Sequence, residues 1–464
     1  MSMIKTKKIV PFFVLIAIAV AATFIPSLPL FNDSGKYNAA DIAWLIVATA
    51  LVFLMTPGLA FFYGGMVHRK NVLSTMIKSL IATGVVSVVW VVIGYSLCFG
   101  TDIGGFIGNP GTHLFFKDVA SGAPWSLAPT IPLTLFALFQ LMFAVITPGL
   151  VVGAVAERIR FTAYVLFTVL FSILVYAPLA HWSWHPDGFL AKMGALDFAG
   201  GTVVHISAGC AALAGALVLK RRKVHIANTE IPPANIPYVL IGTGLLWFGW
   251  FGFNAGSAGA ANSLSVSAFA TTNTAAAAAG LSWLFFDILK GKKPSVLGFC
   301  IGAVVGLVAI TPAAGFVAIP QSIFIGVVAA IISNIAVYYK SKSIVDDTLD
   351  VFPCHGIGGM VGMLMTGIFA TKSVNPAGND GLWYGNPAFF FIQLKAMVIA
   401  VTYSFVVSYL IFKFINFILP LRVTEEEEDL GLDETQHNEK YMQGTLLVKS
   451  NGILKEVENP NIPH

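Results

Sequence analysis

The chain has 464 residues, of which 56% are hydrophobic and 11% charged, and its formal charge is +4. Soluble globular domains carry about 25% charged residues, so most of this surface is built to face lipid. The small cationic excess forms no concentrated stripe, which excludes nucleic acid as a partner on electrostatic grounds.

The N-terminus, MSMIKTKKIVPFFVLIAIAVAATF, sets Lys5, Lys7 and Lys8 before a short apolar run ending in Ala19-Val20-Ala21. That is the layout of a secretory signal peptide, and it predicts a leader over 1–21. Apolar residues continue to about Leu30, so an uncleaved extra helix is the alternative. A bilayer core takes around 20 mostly apolar residues per helix. By that ruler eleven further segments follow, over 42–66, 75–98, 131–154, 161–180, 199–219, 236–256, 265–286, 296–311, 320–339, 353–371 and 388–418. The eighth is short. Cys98, Cys210, Cys300 and Cys354 show neither CxxC spacing nor a disulfide pattern, and they read as small buried hydrophobes.

Cations fix the orientation. Odd-numbered segments are followed by Arg69 and Lys70, by Arg158 and Arg160, by Lys220 to Lys223, by Lys290, Lys292 and Lys293, and by Lys340 and Lys342. Only Lys117, Lys192 and Lys372 follow the even-numbered ones. The former loops are therefore cytoplasmic, the first segment starts outside, and the tail lies inside. The expected fold is all-α and polytopic, with two inverted five-helix repeats and a final helix between about 41 and 420. The tail, 421–464, is expected to be polar and solvated, its acidic run Glu425 to Asp429 forming a soluble face.

Five crossings per half make the second half enter from the opposite side. Thr147-Pro148-Gly149 and Thr311-Pro312-Ala313 are traces of such a repeat, as are Asp197…His205 and Asp350…His355. The last two differ in spacing, eight residues against five. Inverted repeats put a transporter's substrate path at the interface between halves.

Ionisable side chains inside a membrane are costly and point to function. A lone histidine can also serve as glue between helices, but His205 and His355 occupy corresponding places in two repeats. Neutral imidazoles can donate and accept hydrogen bonds without charge, which suits a small polar substrate shedding its water. A metal site would want a third or fourth ligand. Asp197 and Asp350 could supply it, yet each stands at a helix start, where a carboxylate caps free N–H groups. Gly200, Gly201, Ala208, Gly209, Gly356, Gly358, Gly359 and Gly362 crowd around the two histidines and let helices approach closely.

Five ordered blocks, LAFFYGGMVHRKNVLS, GLVVGAVAERIRF, GALDFAGGTVVHISAG, WFGWFGFNAGSAG and DDTLDVFPCHGIGGMVG, together resemble the ammonium transporter family (Amt/MEP/Rh), on its Amt branch. The match runs from about Asp41 to the tail. The resemblance implies that His205 and His355 are the twin pore histidines and that Phe143 and Phe253 gate the external mouth. It makes Phe139, Phe143, Trp184 and Ser257 the outer ammonium-recruitment site, with Asp197 as the acid that shapes it from behind. It further implies a homotrimer with one pore per subunit, a PII-type nitrogen-regulatory partner at the cytoplasmic face, a multi-pass place in the plasma membrane (the inner membrane of a bacterium), no enzyme activity, no cofactor and no metal.

Two departures stand out. HWSWHPDGFLAKMGALD holds one residue more than the usual spacing between tryptophan and acid, so that Trp182 competes with Trp184. QHNE stands where the family has HGE. The function expected is ammonium transport: recruitment at the aromatic mouth, deprotonation, and conduction of ammonia past the histidines, with or without a coupled proton. An ammonium sensor signalling through a cytoplasmic partner is the alternative, and a membrane-embedded metal-dependent hydrolase a third class.

Overall fold

The computed structural model describes residues 3–26, 36–441, 445–450 and 453–458, with side chains for 10–26 and 36–441. A first helix, α1 (Met3–Ala22), is followed by α2 (Ala39–Met66), α3 (Arg69–Phe99), α4 (Leu133–Val155), α5 (Phe161–Lys192) and α6 (Gly201–Leu219). Then come α7 (Ile236–Gly256), α8 (Ser263–Leu289), α9 (Val296–Ile310), α10 (Ile319–Ser341), α11 (Phe352–Phe369) and α12 (Pro387–Ile418). Among the described residues nine of these, α2 to α7 and α10 to α12, are long and apolar enough to cross a membrane. Of the remaining three, α8 and α9 stand where the seventh and eighth crossings are expected. α8 is diluted by Ser265, Thr271, Thr272 and Asn273, and α9 has only 15 residues. Eleven crossings thus need two helices that composition and length alone do not select.

The two halves meet along two seams. At one, α2 packs on α7, the first helix of each half, and a Cβ at Gly242 would lie 2.4 Å from the Phe62 nitrogen. At the other, α6 packs on α11, and a Cβ at Gly209 would lie 2.2 Å from the Gly356 nitrogen. Hydrogen at Cα is all that fits at either crossing.

Both helices of the second seam open with a π-helical turn, Gly201–Ile206 in α6 and Phe352–Ile357 in α11. Such turns are rare and cluster at functional sites. Each is started by a carboxylate. Asp197 accepts from the backbone N–H of Gly200, Gly201 and Thr202 at 2.8, 2.6 and 2.8 Å. In the second half the acceptor is Asp347, from Val351 at 3.0 Å and Phe352 at 2.7 Å. Asp350, which the sequence singles out, instead sits at φ +58° and pairs with Lys340 at 2.7 Å. Counted from the carboxylate that does the capping, each histidine lies eight residues on. The spacing mismatch of the two repeats therefore disappears.

The tail departs from its expected solvated state. It forms two short helices, α13 (Glu425–Leu430) and α14 (Leu432–His437), docked on the cytoplasmic loops. Arg160 forks onto Glu427 at 3.0 and 2.6 Å, Arg422 reaches Glu428 at 2.6 Å, and Lys223 reaches Asp429 at 2.6 Å. Asp433 accepts from the backbone N–H of Leu73 and Ser74 at 3.1 and 2.7 Å, capping the start of α3 from outside the helix. The acidic run is the complement of the basic loops rather than a free face. Two small antiparallel hairpins complete the structure, β1 (Asp102–Ile103) with β2 (Ile107–Gly108), and β3 (Thr445–Ser450) with β4 (Ile453–Glu458).

Candidate substrate path between the two halves

On the outer side, α4, the end of α5 and the end of α7 surround a vestibule of about 420 Å³ lined by Phe139, Phe143, Trp184, Asp197 and Ser257. Phe143 meets Phe139 edge-on at 5.0 Å and Trp184 edge-on at 5.8 Å. Three ring systems thus share one wall, which is the geometry that attracts a small cation to aromatic faces. Trp184 is fixed by its indole N–H, which donates to the Asp197 carbonyl at 3.0 Å. Trp182 does not line the cavity; it donates to the Phe106 carbonyl at 2.7 Å and packs on Tyr403. The Ser257 hydroxyl donates to the Phe253 carbonyl at 2.9 Å, leaving its lone pairs free to accept. The Asp197 side chain is turned to the backbone of α6 and to the Thr202 hydroxyl, so the vestibule meets a capped carboxylate rather than an open one.

Beneath the vestibule Phe143 and Phe253 lie 4.2 Å apart between centroids at 32°, both fully buried. Phe143 lines the vestibule and Phe253 the space below it. Below them is a cavity of about 10 Å³, lined by His205, His355, Trp250, Phe253, Val204, Leu246 and other apolar side chains. That is about the space of one water-sized molecule.

The Nδ1 atoms of His205 and His355 are 3.4 Å apart and the rings are inclined by 25°. Two N–H groups cannot point at each other at this distance, so one Nδ1 donates and the other accepts, and at least one ring is neutral. Trp250 stacks on His205 at 5.3 Å, and its own N–H is held by Thr311 at 2.9 Å. His205 Nε2 is buried without a partner. A buried polar atom left bare beside a cavity of one molecule's size is an offer to a ligand. Among the described residues no three His, Cys, Asp or Glu side chains come together as a metal site, and Asp197 and Asp350 are taken by backbone N–H groups and Lys340.

On the cytoplasmic side Arg222 bridges Glu157 at 2.5 Å and Asp346 at 2.8 Å, while the buried Arg158 donates to the Asp346 carbonyl and to Thr348. Burial would raise the Asp346 carboxyl, but the Arg222 hydrogen bond and the Arg158 charge outweigh it and hold the group below its usual range. The opposite holds for Asp347, pushed up to about 6 by burial despite Lys340 nearby. Trp250, the π turns and Asp347 all escape sequence inspection. Only Asp347 leaves a signal there, its eight-residue distance from His355.

A profile described as Ammonium Transporter Family matches residues 43–442. The chain belongs to this family. An ammonium transporter of Bacillus subtilis is 48% identical over 409 residues, covering 88% of this chain and 99% of the relative. Among solved structures, Candida albicans Mep2 superposes with a TM-score of 0.80 at 38% identity, over 85% of this chain and 89% of that one. A structure titled Sensor Amt Protein superposes with a TM-score of 0.79 at 32% identity, over 86% and 98%. Membership makes ammonium transport by a multi-pass plasma-membrane protein the function of this chain.

Proposed function

We propose that ammonium is recruited by Phe139, Phe143, Trp184 and Ser257, loses its proton at the Phe143–Phe253 gate, and passes as ammonia along His205 and His355. The observation that carries this reading is the bare, buried Nε2 of His205 in a cavity of about 10 Å³. Energetics point the same way. Moving an ammonium-sized ion into low dielectric costs of order 20 kcal/mol in the idealised limit and several after relaxation. A desolvated cation–π contact returns about 2 kcal/mol. Removing the proton from an amine of pKa about 10 at pH 7 costs roughly 4 kcal/mol. Neutralisation is the cheaper route through a passage this narrow.

The shared proton between the two Nδ1 atoms makes the pair a relay for the proton left behind. Ammonium-evoked currents in proteoliposomes test this. His205→Ala and His355→Ala should each reduce the current; unchanged currents in both would remove the proton route.

The wider assembly belongs to the same proposal. The chain forms a homotrimer with a pore in each subunit, and a PII-type regulatory protein docks at the cytoplasmic face. Residues 1–21 are a leader, about 41–420 the transport domain and 421–464 a cytoplasmic tail. Co-purification with a PII protein under nitrogen-replete conditions tests the partner, and persistent absence of the complex would exclude it. A sensing role has one observation in its favour, the likeness to a Sensor Amt Protein. Methylammonium uptake in cells without other carriers separates the two, since a pure sensor would give none.

A further inference from the structure

Where the end of α2 and the loops after α6 and α10 come together, the cytoplasmic side holds a cavity of about 530 Å³, the size of a small-molecule site. Its lining includes His68, Glu157, Arg221, Arg222 and His225. Arg221 and both histidines are only half-buried, and Asn228 to Glu230 on the same wall are exposed.

Bonds within the wall decide which groups remain to face a ligand. Arg221 Nε donates to His225 Nδ1 at 2.9 Å, and Nη2 donates to the His225 carbonyl at 3.1 Å. A guanidinium only donates, so His225 Nδ1 is an acceptor and the ring carries its proton on Nε2. His68 repeats the arrangement, its Nδ1 accepting the backbone N–H of Lys70 at 3.4 Å. Burial holds both imidazoles below the ordinary histidine range, so both are neutral donors at neutral pH. Arg221 Nη1 and the two Nε2 atoms make no hydrogen bond to the described residues. Of the two carboxylates in the lining, Glu157 is matched by Arg222 at 2.5 Å and by the His68 backbone N–H at 2.7 Å. Glu230 stands exposed, where salt screens its charge. Lys342 adds a further cation to the lining, its ammonium resting on the Tyr338 ring at 4.1 Å.

We infer that this cavity binds a soluble phosphomonoester of up to mononucleotide size, with Arg221, His225 and His68 donating to its phosphate oxygens. A guanidinium matches phosphate in charge and in geometry. Three donors answer the three terminal oxygens of a monoester, whereas a diester presents only two. Nothing in this inference depends on the outer vestibule.

Isothermal titration of the purified full chain in detergent tests it, with AMP, cyclic AMP and inorganic phosphate as probes and ionic strength held constant with chloride. AMP should bind saturably and raise the melting temperature, and inorganic phosphate should displace it. Cyclic AMP, similar in size but a diester, should bind on the order of tenfold more weakly, the effect of losing one hydrogen bond to a charged group. Arg221→Gln should weaken AMP by a similar factor, and His225→Phe gives the same comparison if the first variant fails to fold. Equal binding of AMP and cyclic AMP, or unchanged AMP binding in the folded variants, would overturn the inference. A lipid can carry the same monoester. In nanodiscs AMP binding should survive replacement of phosphatidylcholine by phosphatidic acid; its loss there would overturn the soluble ligand and assign the site to a lipid headgroup.

Discussion

A single hydrogen atom decides the crossing beside the imidazoles. With a Cβ at position 209 only 2.2 Å from the Gly356 nitrogen, Gly209→Ala must push α6 and α11 apart next to His205 and His355. Overpacking of this kind costs about 1–3 kcal/mol, and the shared proton has no slack at 3.4 Å. The variant should melt earlier in detergent and lose most ammonium uptake; normal values of both would show that the seam can yield. Residue by residue, the sequence is legible where chemistry is unusual. An imidazole in an apolar segment draws notice, and so does a tryptophan pair with one residue too many between it and the acid. Trp184 and Trp182 differ only in what their N–H groups find, which no local pattern encodes. Asp347 stayed hidden because Asp350 stands nearer to the helix and looks like its cap. The left-handed backbone at Asp350 turns it instead toward Lys340, and backbone sign is not written in residue type.

At the scale of elements, the cytoplasmic ends are held by charge. Arg222 serves two carboxylates that are themselves nearly buried. Arg222→Ala would leave Glu157 and Asp346 without compensation, and breaking a buried pair costs about 3–5 kcal/mol. The variant should unfold at a markedly lower temperature than the unaltered protein. The pH dependence follows from the depressed carboxyl of Asp346. Its contribution is fully present above the unfolded value of about 3.9 and is lost as pH falls through the lower folded value. Acid should therefore cost the unaltered protein more stability than it costs Asp346→Asn.

The composition of the tail misleads. Five successive acids look solvated until the loops they face are known, and those loops are more than two hundred residues away in sequence. Asp433 then works as a cap for a helix it does not belong to. Replacing it by alanine removes two hydrogen bonds to the start of α3 and should cost about 1 kcal/mol there. The more sensitive readout is limited proteolysis, with Lys440 cut faster in Asp433→Ala. Unchanged cleavage would mean that the ion pairs of α13 hold the tail unaided.

Taken whole, the molecule is two halves joined along the α2–α7 and α6–α11 seams, with the vestibule's acid and the cytoplasmic acid capping equivalent helices from opposite faces. Periodicity and cation placement foretell that plan because a bilayer leaves few alternatives: every spanning segment must satisfy its backbone internally. The plan includes α8 and α9, which stand on the expected seventh and eighth segments although one is diluted by polar residues and the other has only 15 residues. The same ruler bears on α1. Its apolar part, Val10–Ala22, falls among the shorter apolar helices, below the roughly 20 residues of a crossing and within the length of a signal-peptide core. Its side chains at Phe12, Phe13, Val14 and Leu15 are all exposed, so the bundle makes no pocket for it. Removal of 1–21 would leave the start of α2 outside, as the cation pattern requires. The N-terminal sequence of the purified protein should then begin at Ala22. A sequence beginning at the initiator end would instead make α1 a further crossing that enters from the cytoplasm, and the orientation of every later helix would stand unchanged, because the lysines that precede α1 already belong on that side.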